Sequence, residues 1–276
     1  MSSSAGDRHD QPVTECQANT INFEVPHFAR IWNYWLDGKD HYDVDREAGE
    51  QVAEVLPEIV PAARHDRAFL SRAIWYLADD VGVRQFLDIG IGLPTHDNTH
   101  EIAQRIAPNA RIVYVDKDPL VLAHARALLK STPEGLCDYV DSDARDVDTI
   151  LREAARTLDF GEPVGLMLLD ILNHLEEDTE AHATVTRLVA ALAPGSHVAI
   201  AHPTAELHGE RLHRAMQLVV NMGGTSVRTR TPQQITDFFD GLQLLEPGVV
   251  SCSQWRPEPW PPEPAVLQFC GVARKT

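Results

Sequence analysis

Five short apolar runs, RQFLDIG, RIVYVD, GLCDYVDSD, PVGLMLLDI and SHVAIAH, follow one another between residues 84 and 202, with amphipathic stretches of helical period between them. Runs this continuously apolar are buried on both faces, and the stretches between them are long enough to cross back over a sheet. The pattern therefore requires an α/β fold with a mostly parallel sheet and right-handed crossovers. The crossover helices carry their own start signals. Asn98 with Glu101 makes a capping-box pair, Asp118 stands directly before Pro119, and Asp146 precedes VDTILREAA.

On either side the character changes. Residues 26–80 are helical and hold no convincing strand: FARIWNYWL, the polar turn DGKDHYDVD, and RHDRAFLSRAIWYLADD, in which Phe69, Leu70, Ala73, Ile74 and Leu77 share a face. At the other end, TPQQITDFFDG reads as a short helix. GLQLLEPGVV and AVLQFCGVAR read as two strands with the proline-rich WRPEPWPPEP between them, an antiparallel pair added to the end of the sheet. The expected organisation is a disordered polar segment over residues 1–22, a helical cap over 23–80 and a Rossmann-like domain over 81–276.

Composition narrows the function classes. Asp and Glu number 41 against 24 Lys and Arg, a formal charge of −17. That field repels nucleic acid and anionic membranes, and no local basic patch reverses it. Cys16, Cys137, Cys252 and Cys270 are scattered, without the paired spacing of a zinc or redox motif, so reduced thiols in a cytoplasm are expected. The first residues lack an apolar leader core, and no apolar run reaches the ~18 residues of a membrane span.

The chemistry begins at FLDIGIGLPTHDN. Asp88 ends the first strand, and Gly90 and Gly92 form the turn beyond it, where an open α/β sheet binds its ligand. A diphosphate would want a third glycine running straight into a helix N-terminus. Here Thr95 stands at that position, Pro94 lacks an N–H, and the helix starts late, near Asn98. One crossover later, Asp116 ends the second strand, where a carboxylate accepts hydrogen bonds from both ribose hydroxyls. After the third strand, Asp143 can accept from an exocyclic amine while the N–H of Ala144 donates to a ring nitrogen, the pair adenine offers. A nucleoside without a pyrophosphate fits all three.

FLDIGIG, VYVDKDP and VDSDARD, in this order and spacing, resemble the class I S-adenosylmethionine-dependent methyltransferases. More narrowly, PHFARIWNYWLDGKDHYDVDREA, RAFLSRAIWYLA, RQFLDIGIGLPT, ARIVYVDKDPLVLAHARALL and FFDGLQLLEPGVV resemble an actinobacterial family of such methyltransferases long catalogued as a domain of unknown function. The resemblance runs from residue 26 to the C-terminus. It implies S-adenosylmethionine as cofactor, with Asp88, Gly90 and Gly92 along its methionine and sugar side. Asp116 would hold the ribose, Lys117 would lie beside the adenine, and Asp143 with Ala144 would read its edge. One departure concerns the acceptor: family members often carry an apolar residue and His-Phe after the fourth strand, where this chain has DILNHLEED.

Methyl transfer from a sulfonium mainly requires alignment of donor and acceptor and exclusion of water. An acceptor that must lose a proton adds a base, and His174 and Asp170 are the candidates by topology, with His202 next. Of the aromatic residues in FARIWNYWL, Trp35 is assigned to packing with Ile31 and Phe28, and Tyr34, with Asn173, to the substrate. Arg30, Lys39 and Arg67 are the candidate partners of the cofactor carboxylate. The segment ELHGERLHRAMQLVVNMGG is a second possible wall, its histidines on a solvated face. The expected activity is methyl transfer to a small-molecule acceptor. Two other readings stand beside it: a cofactor-binding sensor or partner subunit without transferase activity, and a nicotinamide-dependent dehydrogenase, against which the missing third glycine counts.

Overall fold

The computed structural model describes residues 22–257 and 263–276. The expected disorder over residues 1–22 falls almost wholly outside them, as do five residues of the proline-rich stretch, 258–262.

Three helices come first: α1 (Phe28–Trp35), α2 (Asp43–Val55) and α3 (Ile59–Trp75), the last continued by a π-helical turn, Tyr76–Asp80. Then strands and helices alternate as β1 (Gln85–Ile89), α4 (Thr99–Ile106), β2 (Arg111–Asp116), α5 (Pro119–Leu128), β3 (Leu136–Asp141), α6 (Val147–Ala154), β4 (Gly165–Leu169), α7 (Asp178–Ala191) and β5 (His197–Pro203). The caps are those the sequence indicates. Asn98 and Glu101 form the capping box of α4, Asp118 accepts from the N–H of Leu120 at 2.8 Å, and Asp146 from that of Thr149 at 3.1 Å. After β5 come α8 (Gly209–Asn221), α9 (Pro232–Asp237), β6 (Gln243–Leu244), β7 (Val250–Ser251) and β8 (Gln268–Arg274).

β1 to β5 are parallel, and β8 runs antiparallel beside β5, giving the order β3-β2-β1-β4-β5-β8-β6 with β7 also on β8. The late strands depart from the expected terminal pair in one respect. GLQLLEPGVV is not one strand but two short pieces, because Pro247 offers no ladder donor and a turn closes from Gly248 N–H to the Leu245 carbonyl at 2.8 Å.

Alternation along each strand sorts the core into two faces. Phe86, Ile112, Tyr114, Met167, Ala199 and Val272 point to one side, where they share a continuous core with Ile31, Trp35, Phe69, Ile74 and Leu77 of the first helices. Leu87, Val113, Leu166, Leu168, Val198 and Ile200 point to the other, under α6, α7 and the Phe238–Phe239 pair. The loop after β7 is fastened to α3. Trp255 is fully buried against Phe69, and the Arg72 guanidinium donates to the carbonyls of Cys252 and Trp255 at 2.5 and 2.9 Å.

Candidate cofactor and acceptor site

The strand order reverses between β1 and β4, and the loops beyond their carboxyl ends open into a cavity of about 400 Å³. Gly90 takes φ +80° and donates its N–H to the Val115 carbonyl at 2.8 Å. A Cβ there would stand 2.6 Å from Ile171, so the loops after β1 and β4 close directly on each other. Gly92, at φ +62°, faces open space. Its N–H donates to Asp116 Oδ2 at 3.2 Å, and the N–H of Asp118 donates to Oδ1 at 2.9 Å. Burial lifts the Asp116 carboxyl to about 6, opposed by those backbone donors. Asp88 is buried at the same wall and is lifted to about 6 by burial, while its Oδ2 accepts from the Thr99 hydroxyl at 2.6 Å.

Beyond β3, Asp143 sits between two cations, Lys117 at 3.1 Å and Arg145 at 3.1 Å. Burial raises its carboxyl, but the Arg145 N–H and the Lys117 ammonium outweigh burial and hold it below the ordinary carboxylate range. Ala144 lines the cavity next to it. Thus Asp88, Gly90, Gly92, Asp116, Lys117, Asp143 and Ala144 all border one cavity, over β1, β2 and β3.

The other half lies over β4, β5 and β8, roofed by α1, α3 and α8. Asp170 holds a left-handed backbone (φ +52°) and accepts a hydrogen bond from the Gln268 amide. Its Oδ2 is buried without a partner, as are Asn173 Oδ1 and Gln268 Oε1. Asp66 of α3 joins them, with one oxygen 3.9 Å from the Cys252 sulfur. Phe28, Trp32, Leu70, Leu212 and Met216 supply apolar walls, so the segment containing α8 does close one side. His174 packs against Phe28 with ring centroids 5.6 Å apart, and burial, then the charges of His27, Lys117 and Arg145, push it down to about 4.

Three expected placements change. Tyr34 is outside the cavity: it lies about 200° around the helix from Trp32, and its hydroxyl meets Glu50 Oε1 at 3.3 Å. Trp32 and Phe28 face inward in its place. His202 is fully buried behind the wall, with Nδ1 on the Pro203 carbonyl at 2.9 Å and Nε2 on the Arg230 guanidinium at 2.8 Å, which leaves it no free nitrogen. Of the three basic candidates, Arg30 is paired with Asp45 at 2.9 Å and Lys39 is exposed elsewhere. Arg67 borders the cavity, donating to the His96 and Asp97 carbonyls at 2.9 Å each and so holding the loop over the glycine turn.

Asp66, Gln268 and Arg145 were not anticipated. Asp66 shares the apolar face of α3 with Phe69, Leu70 and Ala73, and Gln268 interrupts the apolar run AVLQFCGVA. Each is a polar residue where a core residue is due, a signal available in the sequence. Among the described residues no cluster of His, Cys, Asp and Glu is arranged to hold a metal ion.

The sequence profile of the S-adenosyl methyltransferase family matches residues 14–276. The chain belongs to that family. S-adenosylmethionine is accordingly its cofactor, and the acid at the end of β2 beside an open glycine turn fits a ribose. A DUF574 family protein from Streptomyces avermitilis is 38% identical, with 92% of this chain and 99% of that one covered and a TM-score of 0.87. A Thermobifida fusca protein described as a methyltransferase by inference is 34% identical, with 92% and 97% covered and a TM-score of 0.83. The plantazolicin methyltransferase BpumL, crystallised with S-adenosylhomocysteine, shares the fold alone, at 10% identity, 90% and 95% coverage and a TM-score of 0.50. No curated protein matches the sequence. No described helix of this methyltransferase is long and apolar enough to cross a membrane.

Proposed function

We propose that this methyltransferase acts on a small-molecule acceptor, with the nucleoside of the cofactor held over β1, β2 and β3 and the acceptor over β4, β5 and β8. The observation that carries the division is the asymmetry of the cavity. Backbone donors, Asp116 and the Asp143 loop line one half, while apolar side chains with Asp66, Asp170, Asn173 and Gln268 line the other, where three buried oxygens stand unpartnered. When bound, S-adenosylmethionine supplies a methyl group on a sulfonium. Asp116 accepts from the ribose hydroxyls, Asp143 and the Ala144 N–H read the adenine edge with Lys117 beside it, and Arg67 is the candidate partner of the carboxylate. Phe28, Trp32 and Met216 exclude water from the acceptor half.

Asp170 is the better-matched proton acceptor of the two candidates. Burial and the neighbouring Asp66 raise its carboxyl well above the ordinary carboxylate range, which makes it the stronger base once ionised. His174, held near 4, stays neutral and is a weak base, suited to positioning with Asn173. A transferase-inactive binding protein is favoured by no observation here, and a dehydrogenase lacks the third glycine. Calorimetric titration with S-adenosylmethionine, S-adenosylhomocysteine and NAD tests the cofactor half: the first two should bind and NAD should not. Tighter binding of NAD would reject the reading.

A further inference from the structure

The acceptor half of the cavity is unusual in what it lacks. Asp170 Oδ2, Gln268 Oε1 and Asn173 Oδ1 are buried oxygens without a donor, and Gln268 and Asn173 are themselves only 1% and 6% exposed. The Asp66 carboxylate, 6% exposed, has a thiol contact in place of a strong donor. Buried acceptors left this way are costly, and native structures rarely leave several together without something to fill them. The Arg67 guanidinium does not do so, since its Nε and Nη2 donate to the loop at His96, Asp97 and Asn98. A donor with several N–H bonds and a positive charge complements these acceptors, and the walls around them are apolar.

We propose that the methyl acceptor is a small molecule carrying an amine on an apolar body, bound as the ammonium by the Asp66 and Asp170 carboxylates with Gln268 and Asn173 behind them. Asp170 takes one N–H proton, which frees the nitrogen lone pair for the methyl group, whose bond to the sulfonium sulfur breaks to leave S-adenosylhomocysteine. This rests on the reading of the cavity as a transferase site, and extends it to the chemical class of the substrate. The four residues come from α3, the loop after β4 and the first position of β8, so the sheet assembles the amine pocket from three distant parts of the chain. Phe28, Trp32, Leu70 and Met216 would cover the apolar body. A carboxylate or phosphate ligand would meet two buried acids and is disfavoured by the same geometry.

A pH dependence follows. Burial lifts Asp66 to about 7, and burial with the charge of Asp66 lifts Asp170 well above the ordinary carboxylate range, so the pair shares a proton near neutrality. Besides each other, the ionisable groups bearing on the pair are Arg67, whose charge opposes the rise at Asp66, and the Cys252 thiol, which burial keeps neutral. A bound ammonium displaces the shared proton, so amine affinity should rise between pH 6 and pH 8 while that of a neutral analogue should not.

The test uses the full chain saturated with S-adenosylhomocysteine, titrated by calorimetry with 2-phenylethylamine, 2-phenylethanol and 3-phenylpropanoate. The amine should bind at least tenfold more tightly than the alcohol, and the carboxylate should not bind. Asp66→Asn and Asp170→Asn, each close in shape and the second tolerant of the left-handed backbone, should each lower amine affinity at least tenfold. Affinity for S-adenosylhomocysteine should change less than twofold, which also shows that the variants fold. Equal binding of alcohol and amine, no amine binding, or amine binding unaltered in both variants would overturn the inference and leave the cofactor reading standing. If S-adenosylhomocysteine itself fails to bind, the cofactor reading falls, and the amine and alcohol compared on the protein alone still decide the pocket.

Discussion

At the scale of single residues, Asp116 carries two tasks at once: it fixes the glycine turn through the Gly92 N–H and offers its remaining lone pairs to the cavity. Asp116→Ala should therefore lower S-adenosylhomocysteine affinity at least a hundredfold by calorimetry. Two charge-assisted hydrogen bonds are lost, at about 1.5–3 kcal/mol each. The fold should stay intact, as read by circular dichroism. Asp66 predicts a stability effect of definite sign. Its carboxyl is held near 7 in the folded chain, against about 3.9 when unfolded, so the folded state binds more protons across that interval. Its contribution is fully present below pH 4 and is lost as pH rises through 7. Asn does not titrate, so Asp66→Asn should gain on the order of 1–3 kcal/mol over the parent at pH 8 and nothing at pH 4, measured by urea unfolding. These residues differ in how legible they were. Asp116 ends a strand and Asp143 lies two residues past one, at a fixed spacing that can be placed from the sequence, whereas Asp66, Asp170 and Gln268 meet only after the chain has folded. Tyr34 stands among aromatic neighbours in sequence that do line the cavity, but its angle around α1 turns it away.

At the scale of elements, the glycine turn separates two kinds of glycine. Gly90→Ala sets a Cβ 2.6 Å from the stiff, β-branched Ile171, at φ +80°. It should cost roughly 2–4 kcal/mol in urea unfolding. Gly92→Ala meets nothing within 4 Å at φ +62° and should cost about 1 kcal/mol. Its larger effect should fall on cofactor affinity, because the added methyl projects where the ligand lies. The parallel strands and their caps were readable because burial on both faces and local capping chemistry both write themselves into short stretches. The late strands were not, since whether GLQLLEPGVV pairs as one strand depends on where β8 lies, a contact across about thirty residues.

At the scale of the whole molecule, the first helices are not separable from the sheet. Ile31, Phe69 and Leu77 share a core with Phe86, Ile112 and Met167. Calorimetric unfolding should accordingly show one transition, and a chain lacking residues 23–80 should not fold. Buried histidines complete the pH response: burial holds His174 at about 4 and His202 at about 3, so both favour folding less as pH falls below 6.5. That trend opposes the carboxyls, and stability should vary little between pH 4.5 and 6.5, then fall towards pH 7.5. The place of β8 has one more consequence. It lies inside the sheet, between β5 and β6, although it is made after both. A nascent chain emerging from the ribosome therefore carries an open groove beside β5 until β8 has been made and released. The sheet closes only once β8 has been made, and a chain cut just before β8 would leave an unpaired edge on β5 and a protein destined for degradation.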